Sequence, residues 1–120
     1  QYYRILSSGE IASEAIPAEQ LPETYLLVKL TDKASIKSLA EQLAKVDETI
    51  TSKIQEITLT PSKVTADLST LTMTDGNTIL VPLSEIDTKL PYYSKIVSDI
   101  VEPSVIDMEV GIYRYVKTSQ

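Results

Sequence analysis

The fold class this sequence predicts is α+β: a mixed or antiparallel sheet with helices packed on one face. Three stretches carry that prediction. In TDKASIKSLAEQLAKVD (31–47), Ile36, Leu39, Ala40, Leu43, Ala44 and Val46 fall on one stripe at helical spacing. In KVTADLSTLTMTDGNTILVPL (63–83), two β-branched, alternating runs flank Asp75-Gly76-Asn77, the pattern of a hairpin. SEIDTKLPYYSKIVSDIVEP (84–103) returns to helical spacing on both sides of Pro91.

In chain order, YYRIL (2–6) and EIASEAI (10–16) flank Ser7-Ser8-Gly9 and predict an opening hairpin. Pro17 and Pro22 exclude regular structure from the next stretch, which reads as an extended loop. LLVKL (26–30) is a further short strand or an arm laid on the core. For the helix that follows, Thr31 or Asp32 can cap the start, and Glu41 precedes Lys45 at a favourable spacing. IQEITLT (54–60) reads as a strand closed by Pro61-Ser62-Lys63.

The main hairpin allows a register to be proposed. Leu71, Met73, Ile79, Val81 and Leu83 are all odd-numbered, so pairing Met73 with Ile79 and Leu71 with Val81 buries one face and leaves Asp75, Gly76 and Asn77 as the loop. Val64, Ala66 and Leu68 have the opposite parity, which predicts a bulge near Ser69-Thr70. Pro82 belongs at a strand end or on an edge. Ser84 is a capping candidate with Asp87 three residues on, and Leu90-Pro91 ends one short helix and opens another whose stripe is Tyr93, Ile96, Val97 and Ile100. Tyr93 then belongs to the core and Tyr92 to its rim.

Composition narrows the chemistry. With no Cys and no His, the chain has no thiol or imidazole for catalysis, no disulfide and no standard zinc site. A net charge of −6 with scattered Lys and Arg provides no basic stripe, so nucleic acid is not an expected partner, and no cofactor is implied. Asp75-Gly76-Asn77 begins like a calcium loop but lacks the further ligands, so it reads as a turn. Gln1 directly precedes a strand pattern, which suggests a fragment of something longer.

The last stretch, IDMEVGIYRYVK (106–117), poses a problem of faces. As one unbroken strand it puts Ile106, Met108, Val110, Ile112 and Val116 on one side and Asp107, Glu109, Tyr113, Tyr115 and Lys117 on the other. Asp107 and Glu109 would then point the same way about 6.5–7 Å apart; a solvated outer face is the favoured reading, and a glycan-binding or glycan-hydrolysing site is the rival that the spacing allows in principle. A bulge at Gly111 would swap the tyrosines inward. In either case aromatic or apolar surface faces out on a terminal strand, which is a natural sheet edge and a place for a foreign strand to add. The plain alternatives are a strand tucked against its neighbour and a spacer with no partner.

LTMTDGNTILVPLSEIDTKLPYYSKIV, a short spacer and IDMEVGIYRY resemble the FtsQ/DivIB family of bacterial cell-division proteins, and more closely its DivIB branch in Gram-positive bacteria. SIKSLAEQLAKV and IQEITLTP stand in front of them in the family's order. The resemblance covers roughly residues 30–116. It implies a single extracytoplasmic β domain over 1–120, with an opening hairpin and Pro-containing arm over 1–30 and an α+β core over 31–120. A transmembrane helix and a POTRA-type domain are expected upstream. It further implies a non-catalytic member of the divisome at the septum, on the extracytoplasmic face of the plasma membrane. Such a protein binds FtsL and DivIC (FtsB in Gram-negatives) and helps control septal peptidoglycan synthesis. By position, the family's partner-binding edge maps to Val110, Gly111, Ile112, Tyr113 and Tyr115, with Val110 standing where Gram-negative members carry an aromatic.

Overall fold

The computed structural model describes residues 2–6, 9–22, 25–100 and 102–117. Strands β1 (Tyr2–Ile5) and β2 (Ile11–Ile16) form a separate two-stranded antiparallel sheet. β3 (Leu27–Lys29) follows the proline-containing arm and lies parallel to β4 (Ile54–Leu59). Helix α1 (Lys33–Leu43) and the short α2 (Glu48–Thr51) connect them. β5 (Leu68–Met73) and β6 (Thr78–Pro82) form the main hairpin. Helices α3 (Ile86–Lys89) and α4 (Tyr93–Val97) then lead to β7 (Ser104–Asp107), parallel to β6, and β8 (Tyr113–Val116), antiparallel to β7. The second sheet is six-stranded and mixed, in the order β3-β4-β5-β6-β7-β8, so the predicted α+β class is the observed one.

One row of side chains shows how the core is built. Ile57, Leu71, Ile79 and Ile106 are consecutive cross-strand partners, each fully buried, and Leu39, Leu83, Ile86, Leu90 and Tyr93 cover them from the helical side. Cross-strand neighbours on one face lie close enough to pack directly, so the row is a continuous apolar seam. Asp32 caps α1 by accepting the Ser35 N–H at 3.1 Å, and Asp47 caps α2 by accepting the Thr49 N–H at 2.8 Å. None of the helices formed by the described residues is long and apolar enough to cross a membrane.

The two hairpins close with the same pair of hydrogen bonds. Leu6 N–H donates to Glu10 O and Gly9 N–H to Leu6 O, each at 2.8 Å; Met73 N–H donates to Asn77 O at 3.0 Å and Gly76 N–H to Met73 O at 3.2 Å. The glycines stand at the third loop position with φ of 88° and 91°, where a Cβ is strained. Ser7 and Ser8 lie outside the described residues.

That turn corrects the proposed register. Leu71 faces Ile79 and Ser69 faces Val81, a slip of two residues from the expected pairing. Gly76 takes the left-handed position, so the loop is Thr74, Asp75 and Gly76, and Asn77 is drawn inward to pair with Met73. A slip of two preserves side-chain parity, so the residues expected on the buried face stay buried. The expected bulge at Ser69-Thr70 is absent: β5 pairs regularly with β6, because 62–67 form a turn in which Ser62 Oγ accepts the Thr65 N–H, and Val64 is solvent-exposed. The irregularity lies in β4, between Ile54 and Glu56.

Two helix-capping expectations also change. Ser84 makes no side-chain cap; its N–H donates to Asp67 Oδ2 at 2.9 Å. The N–H of Asp87 donates to Oε1 of buried Gln42 on α1 at 3.1 Å, so the start of α3 is satisfied by another element. Lys45 pairs with Asp87 at 3.9 Å. Pro91 sits in a 3-10 turn, Leu90–Tyr92, between α3 and α4, Pro82 closes β6, and Tyr93 is fully buried while Tyr92 is exposed.

Candidate functional site

The C-terminal stretch is not one strand. β7 stops at Asp107, whose Oδ1 accepts the Glu109 N–H at 3.0 Å and turns the chain out of the sheet. The Met108 N–H still reaches Leu80 O at 2.7 Å, and its side chain is buried in the core. Lys89 Nζ donates to the carbonyls of Met108 and Glu109 at 2.7 and 3.1 Å, and the Ser62 hydroxyl donates to Glu109 Oε2. Loop 108–112 is therefore clamped at its root from two sides.

This clamp dismantles the acid pair expected on one strand face. Asp107 serves the turn. The hydroxyls of Ser62 and Thr65, helped by the nearby Lys89 ammonium, hold the Glu109 carboxyl below its ordinary range, which is opposite to the raised value a general acid needs. Among the described residues no cluster of three or more carboxylates is placed to hold a metal ion.

A group whose folded-state pKa is depressed stabilises the fold above its unfolded value, and that contribution is lost as pH falls through the folded value. Acidification through and below the ordinary glutamate range is therefore expected to release the loop. Asp32 and Asp47 are also held low by their caps, so the readout must be local. Amide shifts of Ser62 and Glu109 should move together on acid titration, and Glu109→Gln should abolish their coupled step.

Beyond the loop, β8 runs back along β7, with Val105 opposite Tyr115, Ile106 opposite Arg114 and Asp107 opposite Tyr113. Ile106 is on the helical side, so Arg114 and Val116 are too, and Tyr113 and Tyr115 lie on the uncovered face beside Asp107 and Val105. Tyr113 is 66% exposed and Tyr115 53%; Val110, at 80%, and Ile112 are exposed in the loop. A Cβ on Gly111 would come within 3.0 Å of the Tyr113 ring, so that ring folds back over the glycine. Within the strands the predicted sharing of faces holds, with Val116 on the side of Ile106 and Tyr113 and Tyr115 on the side of Asp107, but on the even face only Ile106 and Met108 are buried; Val110, Ile112 and Val116 are exposed.

Hydrogen-bond parity decides which backbone groups are free. The Lys117 N–H donates to Pro103 O at 3.0 Å, so in this antiparallel register the odd residues Tyr113, Tyr115 and Lys117 bond to β7. The N–H and C=O groups of Arg114 and Val116 point away from the sheet. Residue spacing alone singles out the tyrosines and misses this pair, because the free edge depends on which residues of β8 face β7.

Comparison with known proteins places the chain. A family model described as Cell division protein FtsQ/DivIB, C-terminal, matches residues 1–109. The chain belongs to the FtsQ/DivIB family. It is similar to the cell division protein DivIB of Streptococcus suis (strain GZ1), with 58% identity over 115 residues that make up 96% of this chain and 32% of that protein. It is also similar to DivIB of Streptococcus pneumoniae (strain ATCC BAA-255 / R6), 50% identical over 114 residues, 95% of this chain and 29% of that protein. It thus spans about a third of the length of these FtsQ/DivIB relatives. The major extracytoplasmic domain of the trans isomer of DivIB from Geobacillus stearothermophilus shares the fold, with a TM-score of 0.66 over 80% of this chain and 81% of that one at 20% identity.

Proposed function

We propose that this chain is the single extracytoplasmic β domain of a membrane-anchored, non-catalytic division protein. A transmembrane helix and a POTRA-type domain precede it in the full protein. It captures extracytoplasmic segments of FtsL-like and DivIC/FtsB-like proteins by strand addition to β8 at the septum, and so helps couple septum assembly to septal peptidoglycan synthesis. Family membership supports the divisome role. The observation that carries the mechanism is the outward-facing backbone of Arg114 and Val116 on a terminal strand, flanked by exposed Tyr113, Tyr115, Ile112 and Val110. Backbone hydrogen bonds supply affinity in such a mode, and the flanking side chains supply specificity, with Gly111 leaving room for the Tyr113 ring that lies over it.

Val116→Pro tests this directly. It deletes an N–H that points outward and sets a ring in the path of an added strand, while the bonds of Tyr113 and Tyr115 to β7 remain. Calorimetric titration of this chain with the extracytoplasmic segments of FtsL and DivIC should show affinity reduced by at least about tenfold, with Tm within about 2 °C of the parent. Unchanged affinity in the folded variant refutes capture at this edge.

A further inference from the structure

We propose that Arg114 is the selectivity gate of the β8 edge, admitting a foreign strand that carries a carboxylate at the position opposite it. The proposal rests on the edge-capture reading and adds the chemistry of the partner. The row Val28, Ile57, Leu71, Ile79 and Ile106 is apolar across the whole sheet until it reaches the edge, where the next member is Arg114. Arg114 is one of two arginines in a chain of net charge −6, and its guanidinium makes no hydrogen bond or ion pair among the described residues.

Its surroundings give that charge a reason. On the helical side a hollow of about 350 Å³ runs between β8 and α4, lined by Lys95, Ile96, Asp99, Ile112, Tyr113 and Arg114. A second hollow of about 220 Å³ adjoins it past Arg114, toward Ile100, Glu102 and Val116. Asp99 borders both and forms no ion pair with Arg114 or Lys95, since none within 4.0 Å is present among the described residues. A strand added to β8 sets the side chain opposite Arg114 over these hollows, with Cβ atoms roughly 4.5–5.5 Å apart. A carboxylate there meets the guanidinium in a charge-assisted hydrogen bond. An apolar or basic side chain instead strips water from an uncompensated cation.

The same logic rejects edge-to-edge pairing between the six-stranded sheets of two copies. Neither β8, Tyr113–Val116, nor the opposite sheet edge, Leu27–Lys29, contains an acid, so self-pairing offers Arg114 no counter-charge. A charge on an edge strand also discourages indiscriminate pairing. The occupant is a foreign chain with an acidic strand residue.

The test uses this chain and the DivIC extracytoplasmic segment at 50 and 300 mM salt, with Arg114→Glu and Val116→Pro compared to the parent. Arg114→Glu should lose about tenfold in affinity at low salt and less at high salt, and reversing one acid of the segment to arginine should restore it. If Val116→Pro abolishes binding but Arg114→Glu binds like the parent at both salts, the gate is overturned and edge capture stands. Loss with Arg114→Glu that no acid reversal rescues also overturns the gate. Full binding by Val116→Pro removes the edge reading and the gate with it. A parent dimer that Val116→Pro dissociates in sedimentation would show a second copy on the edge, against the proposal.

Discussion

Asn77→Ala is expected to destabilise the fold by about 3 kcal/mol, lowering Tm by roughly 10 °C. Asn77 is 2% exposed and joins three elements: its Nδ2 donates to the Tyr93 hydroxyl at 3.0 Å, and its Oδ1 accepts the Ser104 N–H at 2.9 Å. The Tyr93 hydroxyl donates in turn to Asp75 Oδ2 at 2.6 Å. Burial, and then the Asp75 carboxylate, push the Tyr93 phenol far above its ordinary range, so it stays a protonated donor at all working pH. Alanine would leave the buried Ser104 N–H without an acceptor and the Tyr93 oxygen without a donor. A buried donor left unpaired costs about 1–3 kcal/mol, and the small void adds to that. Tyr93→Phe removes the donor to Asp75 and the acceptor of Asn77 Nδ2 while Asn77 keeps Ser104, so about 1–2 kcal/mol is expected. Urea unfolding of the two variants measures the order; a loss below about 0.5 kcal/mol for Asn77→Ala would contradict the network's role.

The effect extends to the candidate edge. Lys117 Nζ donates to Gly76 O at 2.8 Å, and the Lys117 N–H donates to Pro103 O. The turn after β5 thus holds the end of β8 as well as α4 and the start of β7. Loosening the turn should raise amide exchange at Tyr115 before the core opens.

Gly9→Ala is expected to detach the opening hairpin from α1 while the six-stranded sheet stays folded. Gly9 is buried at φ 88°, and a Cβ there would stand 2.7 Å from Lys37 Cα and 2.8 Å from its Cγ. The first of those atoms is helix backbone and cannot swing aside. Left-handed backbone alone costs an alanine about 1–2 kcal/mol, and relieving the clash requires hairpin and helix to separate. Their interface yields readily, because an open apolar hollow of about 470 Å³ lies among Tyr2, Leu6, Leu21, Tyr25, Leu39 and Leu43. Hydrogen exchange should show lost protection across β1 and β2, with β5 and β6 unchanged. Gly76 makes the comparison: its nearest neighbour is Pro103 Cγ at 3.5 Å, an ordinary contact, so Gly76→Ala carries the backbone strain alone. Unchanged protection of β1 and β2 in Gly9→Ala would remove the argument.

Much of the fold was readable because helix and strand periodicities are local. The stripe of α1 and the buried parity of β5 and β6 survived even where the register was wrong, since a slip of two leaves every side chain on its face. Buried Gln42 escaped that reading, because its partner, the Asp87 N–H, lies on another element. So did the break after Asp107, where a carboxylate expected to face solvent turns the chain instead.

The amino-acid order by itself determined the apolar stripe of α1, the buried parity of β5 and β6, the helices that cover the sheet, the two glycine turns and the resemblance to the FtsQ/DivIB family. Only the tertiary structure decided that β7 joins β6 in parallel, that β8 therefore ends the sheet, and that Arg114 and Val116 carry its outward backbone. The physical reason is that the direction of a side chain follows from its own neighbours in sequence. The partner of a backbone hydrogen bond depends on which distant strand arrives beside it.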